Sequence, residues 1–154
     1  MFKIEPLTLK NIPYAVALGK ELHSLGSLNV IPYDDEYARL NVEQAAINPS
    51  YFVRLALDEN DTYVGVVAGY LTPFVFSKKL MAIETCWYVR EGVKERTKIA
   101  VTLMKQFVNW ALKENNATHV QTGDIANINS LAVDTVYRHI GFTRIGTIYM
   151  MENK

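Results

Sequence analysis

Six of the nine residues at positions 90–98 are charged: Arg90, Glu91, Lys94, Glu95, Arg96 and Lys98. They stand between an apolar run ending in Trp87, Tyr88 and Val89 and a run with helical spacing, so they occupy a strand-to-helix turn. The start of a helix leaves its first backbone N–H groups unpaired, at the positive end of the helix dipole. An anion placed there gains hydrogen bonds and a favourable field together. Four cations against two carboxylates could add charge-assisted contacts, and a phosphate-rich ligand suits that chemistry. The plainer alternative is a solvated turn that opens an ordinary helix.

Other residues could do chemistry. Glu84 is the only charged residue between Leu80 and Val89. It interrupts an otherwise uncharged strand, and its plain reading is an outward charge on one face of a sheet. Tyr137 stands four residues before Gly141. A phenol with an ordinary pKa of about 10 stays protonated at neutral pH and can donate, or it can simply pack by its ring. His23, Tyr33, Asp34, Asp35 and Glu36 lie nearer the start of the chain. A carboxylate pair could attract an ammonium group, but Asp34 or Asp35 also serves as a helix N-cap. His23, His119 and His139 lack metal-ligand spacing, so no metal site is expected. Cys86 has no evident histidine partner and reads as a strand residue rather than a nucleophile.

The elements that must position these groups follow from spacing and turn residues. Residues 2–5 read as a short first strand. Asn11 as N-cap and Pro13 in the first turn start a helix that runs to about residue 25 and stops at Gly26. A second helix begins at Asp34 or Asp35 and is closed by Asn48-Pro49. Residues 51–57 and 63–71 form a hairpin around Asp58-Glu59-Asn60-Asp61. Residues 80–89 make a long strand, with Ile83, Thr85, Trp87 and Val89 on one face and Ala82, Glu84, Cys86 and Tyr88 on the other. Residues 97–113 make a helix striped by Ile99, Leu103, Phe107 and Trp110. Residues 118–122 are a strand, parallel to 80–89 through a right-handed crossover. Residues 127–139 make a last helix capped by Gly141, and residues 142–144 and 147–151 close the chain as two strands. The expected fold is α/β (α+β). Its mixed sheet would have about six to seven strands, mostly antiparallel with one central parallel pair, flanked by about four helices. A strand that enters a helix at such a pair is a common ligand site.

Bulk properties narrow the class. A chain of 154 residues fits one domain, 1–154, and can bury a sizeable core. Sixteen basic and sixteen acidic side chains cancel, which argues against a general nucleic-acid coat protein. The single cysteine permits no internal disulfide. The first residues lack the apolar stretch of a signal peptide, and no apolar run approaches the roughly 20 residues that cross a bilayer. A soluble cytoplasmic protein without a membrane partner is expected.

The order of elements, together with "IETCWYVREG", "IAVTLMKQFVNWALKENNATHV" and "NSLAVDTVYRHIGFTRIG", resembles the GCN5-related N-acetyltransferase (GNAT) family. The last stretch is similar to the family motif ending Y-x-x-x-G-F. The resemblance covers nearly the whole chain. It implies a GNAT-like acyltransferase domain that binds acetyl-coenzyme A, with the pyrophosphate on the amides of the charged turn. The family signature there is Q/R-x-x-G-x-G/A. Glu95, Lys98 and Ala100 fall on its three fixed positions, and only Ala100 matches. A helical Lys98 would still offer its amide, whereas Glu95 must turn to solvent or pair with Arg90 or Lys94. The basic-for-glycine change looks like tailed-bacteriophage members of the family.

The resemblance also implies roles. Tyr137 would be the general acid toward the coenzyme A sulfur, and Glu84 the base that deprotonates the amine, through a water. Trp87, Tyr88 and Val89 would offer backbone groups to the pantetheine arm. Lys94, Glu95, Arg96, Thr97, Lys98, Ile99 and Ala100 would form the pyrophosphate turn, and Asn129 or Asn127 would precede the last helix at the cofactor. The acceptor would sit between the first two helices and the 72–79 loop. The expected function is transfer of an acetyl group from acetyl-CoA to a primary amine, on a small molecule or a protein, by direct attack in a ternary complex. The alternative is a catalytically inactive module of the same fold. If phage-encoded, that module would work on a host protein in the host cytoplasm. A nucleic-acid role rests on the basic turn alone, and a homodimer is compatible with the sequence without being readable from it.

Overall fold

The structure, a computed structural model, describes residues 1–151 and Asn153. Its centre is the hairpin of β2 (Tyr51–Leu57) and β3 (Tyr63–Pro73). Asp58 shapes the turn, accepting from the amides of Asn60 at 2.9 Å and Thr62 at 3.0 Å, while Asp61 takes the left-handed conformation at φ 58°. β1 (Lys3–Pro6) adds antiparallel to β2, and β4 (Leu80–Val89) adds antiparallel to β3. β5 (His119–Gln121) joins β4 in parallel, giving the order β1-β2-β3-β4-β5.

Helices cover both faces. α1 (Ile12–Leu25) and α2 (Asp35–Ile47) lie on one, where Ala15 and Leu18 meet Val53, Leu55, Val66 and Tyr88. α3 (Arg96–Asn109) lies on the other and inserts Ile99, Leu103, Met104 and Phe107, all fully buried, against Phe52, Val67 and Ala82. This is the stripe that helical spacing predicts. α4 (Ser130–Ile140) packs Tyr137 and Ile140 onto the same cluster.

Caps and ends differ in detail from the expectation. Asn11 does not cap α1 forward. Its buried side chain accepts from the Thr8 amide at 2.7 Å and donates to the Pro6 carbonyl at 3.1 Å, tying the helix start to the end of β1. Asp34 does cap α2, accepting from the Tyr37 amide at 2.9 Å. α3 ends at Asn109 rather than Lys113 and widens into a π-turn, Trp110–Glu114. There Asn115 donates from its backbone and its side chain to the Trp110 carbonyl, at 3.1 and 2.9 Å.

Two expectations about the sheet are overturned. First, strict alternation along β4 fails. The register passes from Ala68↔Cys86 to Gly69↔Glu84, so Thr85 is an extra, bulged residue. Ala82 consequently shares the α3 face with Trp87 and Val89, while Cys86 and Tyr88 face α1. Gly69 sits opposite the bulge because nothing larger fits. A Cβ there would lie 2.5 Å from both the Ile83 carbonyl oxygen and the Phe107 ring.

Second, among the described residues the sheet has five strands, not six to seven, and the parallel pair lies at its edge rather than its centre. The stretches 142–144 and 147–151 are irregular. Apolar residues fall at consecutive positions 148–151, so no register would bury one face and expose the other. β5 offers only three residues of edge for them to pair with. Ile145, Tyr149 and Met151 are exposed. Among the described residues no helix is long and apolar enough to cross a membrane.

Candidate active site

β5 pairs with β4 only from Met81 to Ile83, whereas β4 continues to Val89 in register with β3. From Glu84 onward the outer edge of β4 is therefore open. A cavity of about 650 Å³ lies along it. Its walls come from α1 through Leu22 and His23, from the start of α3 through Arg96, Thr97 and Ala100, and from α4 through Val133, Val136 and Tyr137. The loop 123–129 lines it between β5 and α4. That loop is pinned to the corner after α1, where the Ser27 amide and hydroxyl donate to the Ala126 carbonyl at 2.9 and 3.2 Å.

Glu84, Thr122 and Tyr137 meet at the head of the open edge. The Thr122 hydroxyl lies 2.7 Å from the Glu84 carboxylate and 2.8 Å from the Tyr137 phenol. The phenol also reaches the Gly123 carbonyl at 3.0 Å. Burial pushes the Glu84 carboxyl up to about 7, against the lowering effect of the Thr122 hydroxyl and the Gly123 amide. Burial, reinforced by the Glu84 charge, drives Tyr137 well above the ordinary phenol range, so it is neutral and a donor. Cys86 is pushed up to about 12 by burial and by Glu84, and it remains a thiol. Tyr137 is held from the side by Trp87, whose ring stacks on it at 5.1 Å while the indole N–H donates to the Ala100 carbonyl at 3.0 Å.

The charged turn is largely self-neutralised. Arg90 forms a two-point ion pair with Glu21 of α1 and donates to the Tyr63 carbonyl at 2.9 Å. Lys94 pairs with Glu59 at 3.2 Å. Glu95 adopts the left-handed conformation at φ 61° and pairs with Lys98 at 3.1 Å and the amino terminus at 3.9 Å, not with Arg90 or Lys94. Lys94, Glu95 and Lys98 do not line the cavity, and the Ile99 side chain is in the core. Arg96 does line it, with Nε donating to the Val89 carbonyl at 3.0 Å. The Arg96 amide is taken by Val93 and the Ile99 amide by Glu95. The amides of Thr97 and Lys98, in the first turn, have no acceptor within the helix. Trp87, Tyr88, Val89, Thr97, Ala100 and Asn129 also line the cavity, and Asn129 stands at the N-cap position of α4 in the left-handed conformation, with no side-chain cap bond.

At the other end His23 and Tyr33 face the cavity, their rings 5.2 Å apart. Asp35 is occupied by Lys20 at 2.8 Å, Glu36 lies in the exposed first turn of α2, and the 72–79 loop does not line the cavity. Its place is taken by Gly123, Asp124, Ile125 and Ile128, which the sequence reading did not single out. Thr122 was missed too. A hydroxyl at the end of a short strand carries no signal of its own until the two groups it bridges are known to converge. Among the described residues no cluster could hold a metal ion.

No family model and no curated protein matches the chain. Solved structures do. The aminoglycoside N-acetyltransferase AAC(6')-Iy, in complex with the bisubstrate analogue CoA-S-monomethyl-acetylneamine, superposes with a TM-score of 0.78 at 12% identity over 100% of this chain and 99% of that one. A predicted acetyltransferase with acetyl-CoA from Clostridium acetobutylicum gives 0.74 at 18% identity over 99% and 96%. A ribosomal-protein-alanine N-acetyltransferase from Brucella melitensis biovar Abortus 2308 gives 0.71 at 16% identity over all of both chains. The chain has the fold of these acetyltransferases.

Proposed function

We propose that this chain is an N-acetyltransferase that moves an acetyl group from acetyl-CoA to a primary amine in a ternary complex. One observation carries the reading. A neutral donor, Tyr137, and a carboxyl poised near neutrality, Glu84, stand together at the head of an open strand edge whose far end is a helix N-terminus. The cavity volume falls within the range of about 300–1,000 Å³ typical of ligand sites. The residues present fit the co-substrate. An extended amide-bearing arm can add to the open edge of β4 at Trp87 and Tyr88 as a strand would, and at Val89 it would meet the Arg96 side chain that already donates to the Val89 carbonyl. The pyrophosphate would meet the Thr97 and Lys98 amides and the Arg96 guanidinium, with Ala100 and Asn129 alongside.

The chemistry then divides by residue. Glu84, whose carboxyl burial pushes up to about 7, accepts a proton from the amine. Tyr137 donates toward the departing sulfur. Asp124 and Glu84 are the carboxylates lining the cavity, and they favour an ammonium-bearing acceptor. Both acceptor types named by the relatives, an aminoglycoside and a protein alanine, present an amine. A co-substrate held inside the cell is in keeping with a cytoplasmic site of action. The relatives lend the bacteriophage resemblance no support.

The test is a calorimetric titration with acetyl-CoA, followed by thiol-release assays with kanamycin, an alanine-initiated peptide, spermidine and 2-phenylethylamine. Micromolar binding with release on one amine is expected. Tyr137→Phe should then lower kcat by about a hundredfold at unchanged acetyl-CoA affinity. Binding without any transfer would return the chain to an inactive module of the fold, and no binding at millimolar acetyl-CoA would overturn the reading outright.

A further inference from the structure

We propose that Thr122 is a proton relay that carries the proton taken from the amine through to Tyr137 and on to the leaving sulfur. The inference rests on the acetyltransferase reading above and deepens it at the same site.

The geometry imposes a direction. A threonine hydroxyl has one proton, so it cannot donate to Glu84 at 2.7 Å and to Tyr137 at 2.8 Å at once. With Glu84 ionised, Thr122 donates to the carboxylate and its oxygen is free to accept from the phenol. With Glu84 protonated, the carboxyl donates to Thr122, Thr122 donates to Tyr137, and Tyr137 donates to the Gly123 carbonyl at 3.0 Å or to a ligand atom in its place. The protonation state of Glu84 thus sets which way the whole chain points.

This arrangement answers a difficulty at Tyr137. Its phenolate is disfavoured by burial and by Glu84, so a phenol acting alone would be a weak acid toward a thiolate whose ordinary conjugate-acid pKa is about 8.5. A relay removes the difficulty, because no phenolate has to persist. The acceptor's ammonium proton is first lost to solvent; the freed nitrogen lone pair then forms the N–C bond, the C–S bond breaks with its electrons to sulfur, and an N–H proton passes to the Glu84 carboxylate. Glu84 then hands its proton to Thr122, Thr122 its own to Tyr137, and Tyr137 its own to sulfur. One proton leaves nitrogen, one arrives at sulfur, and the chain ends with Glu84 ionised again. The net donor is a carboxylic acid near 7, which is downhill to a thiolate. The titratable groups facing Glu84 are Cys86 from its own strand and Tyr137 from α4, with Asp124 acting on Tyr137 from the loop and His23 lining the cavity from α1.

The experiment compares the unaltered protein with Thr122→Val, Thr122→Ser and Tyr137→Phe. It uses acetyl-CoA and the best amine of the four above, with folding checked by thermal melts. Thr122→Val is expected to lower kcat by ten- to a hundredfold with unchanged acetyl-CoA affinity. It should also reduce the solvent deuterium isotope effect on kcat, whose proton inventory in the unaltered protein bows as several protons move together. Thr122→Ser should restore kcat to within about threefold, together with the curved inventory. If Thr122→Val keeps the kcat and the inventory of the parent while Tyr137→Phe is impaired, the relay is wrong and the acetyltransferase reading stands. If the unaltered protein transfers nothing, both fall together.

Discussion

Glu84 is under two opposed demands. Catalysis asks it to ionise, and its surroundings oppose ionisation. Its carboxyl titrates near 7 in the folded protein against an ordinary 4.5, so between those values the folded state holds a proton that the unfolded chain has released. Stability contributed by the neutral form is intact below about pH 4.5 and is lost as pH rises through 7. The shift corresponds to at most about 3 kcal/mol, and solvent access through the cavity reduces it to roughly 2. Glu84→Gln should therefore raise the melting temperature by about 4–8 °C at pH 8, with a smaller gain at pH 5. It should also abolish most of the turnover. Parallel melts at the two pH values check this. Equal gains at both would mean that Glu84 is ionised at no cost, and its assignment as the poised base would fail.

At the scale of elements, the bulge in β4 is what brings this residue to the site. Gly69 lies opposite it, and the Phe107 ring fills the space a Cβ there would take. Gly69→Ala forces either the Phe107 ring or the strand to move, and overpacking of this kind costs about 1–3 kcal/mol. A denaturant titration should show that loss, with activity at saturating substrate falling alongside it as the Glu84 side of the site shifts. A loss of stability below about 0.5 kcal/mol would mean that the core yields freely there. The bulge also marks what the sequence makes legible. The β2–β3 hairpin and α3 are readable because their causes are local, in the Asp58 turn and in apolar spacing along one stripe. The faces of β4 are not, because the extra residue at Thr85 shows only in the pairing with β3, where Gly69 packs under a ring supplied from α3. The same reasoning covers the site. Glu84 and Tyr137 could be singled out by type and position, whereas Thr122 and the 123–129 loop matter only through what converges on them.

On the scale of the whole molecule, the cavity separates elements that otherwise touch little. α1 faces one side of the sheet and α3 with α4 the other, and the open edge of β4 lies between them. Among the described residues, direct ties across it include the Glu21–Arg90 ion pair and the Ser27 contacts to Ala126. A ligand lying along the edge would touch β4, α3, α4 and the loop together, so its binding free energy should appear as global stability. At a concentration one hundred times its dissociation constant, acetyl-CoA would contribute about 2.7 kcal/mol. For a chain of this size that is a rise of about 5–10 °C in melting temperature. Arg96→Ala, which removes a guanidinium aimed along the cavity from Val89, should weaken binding about tenfold. It should then give back about 1.4 kcal/mol of that gain at the same ligand concentration. A full shift in the Arg96 variant would place the guanidinium outside the anion site and leave the pyrophosphate to the Thr97 and Lys98 amides alone. A missing shift in both proteins would instead mean that the self-neutralised turn, with Glu95 held on Lys98, admits no anion.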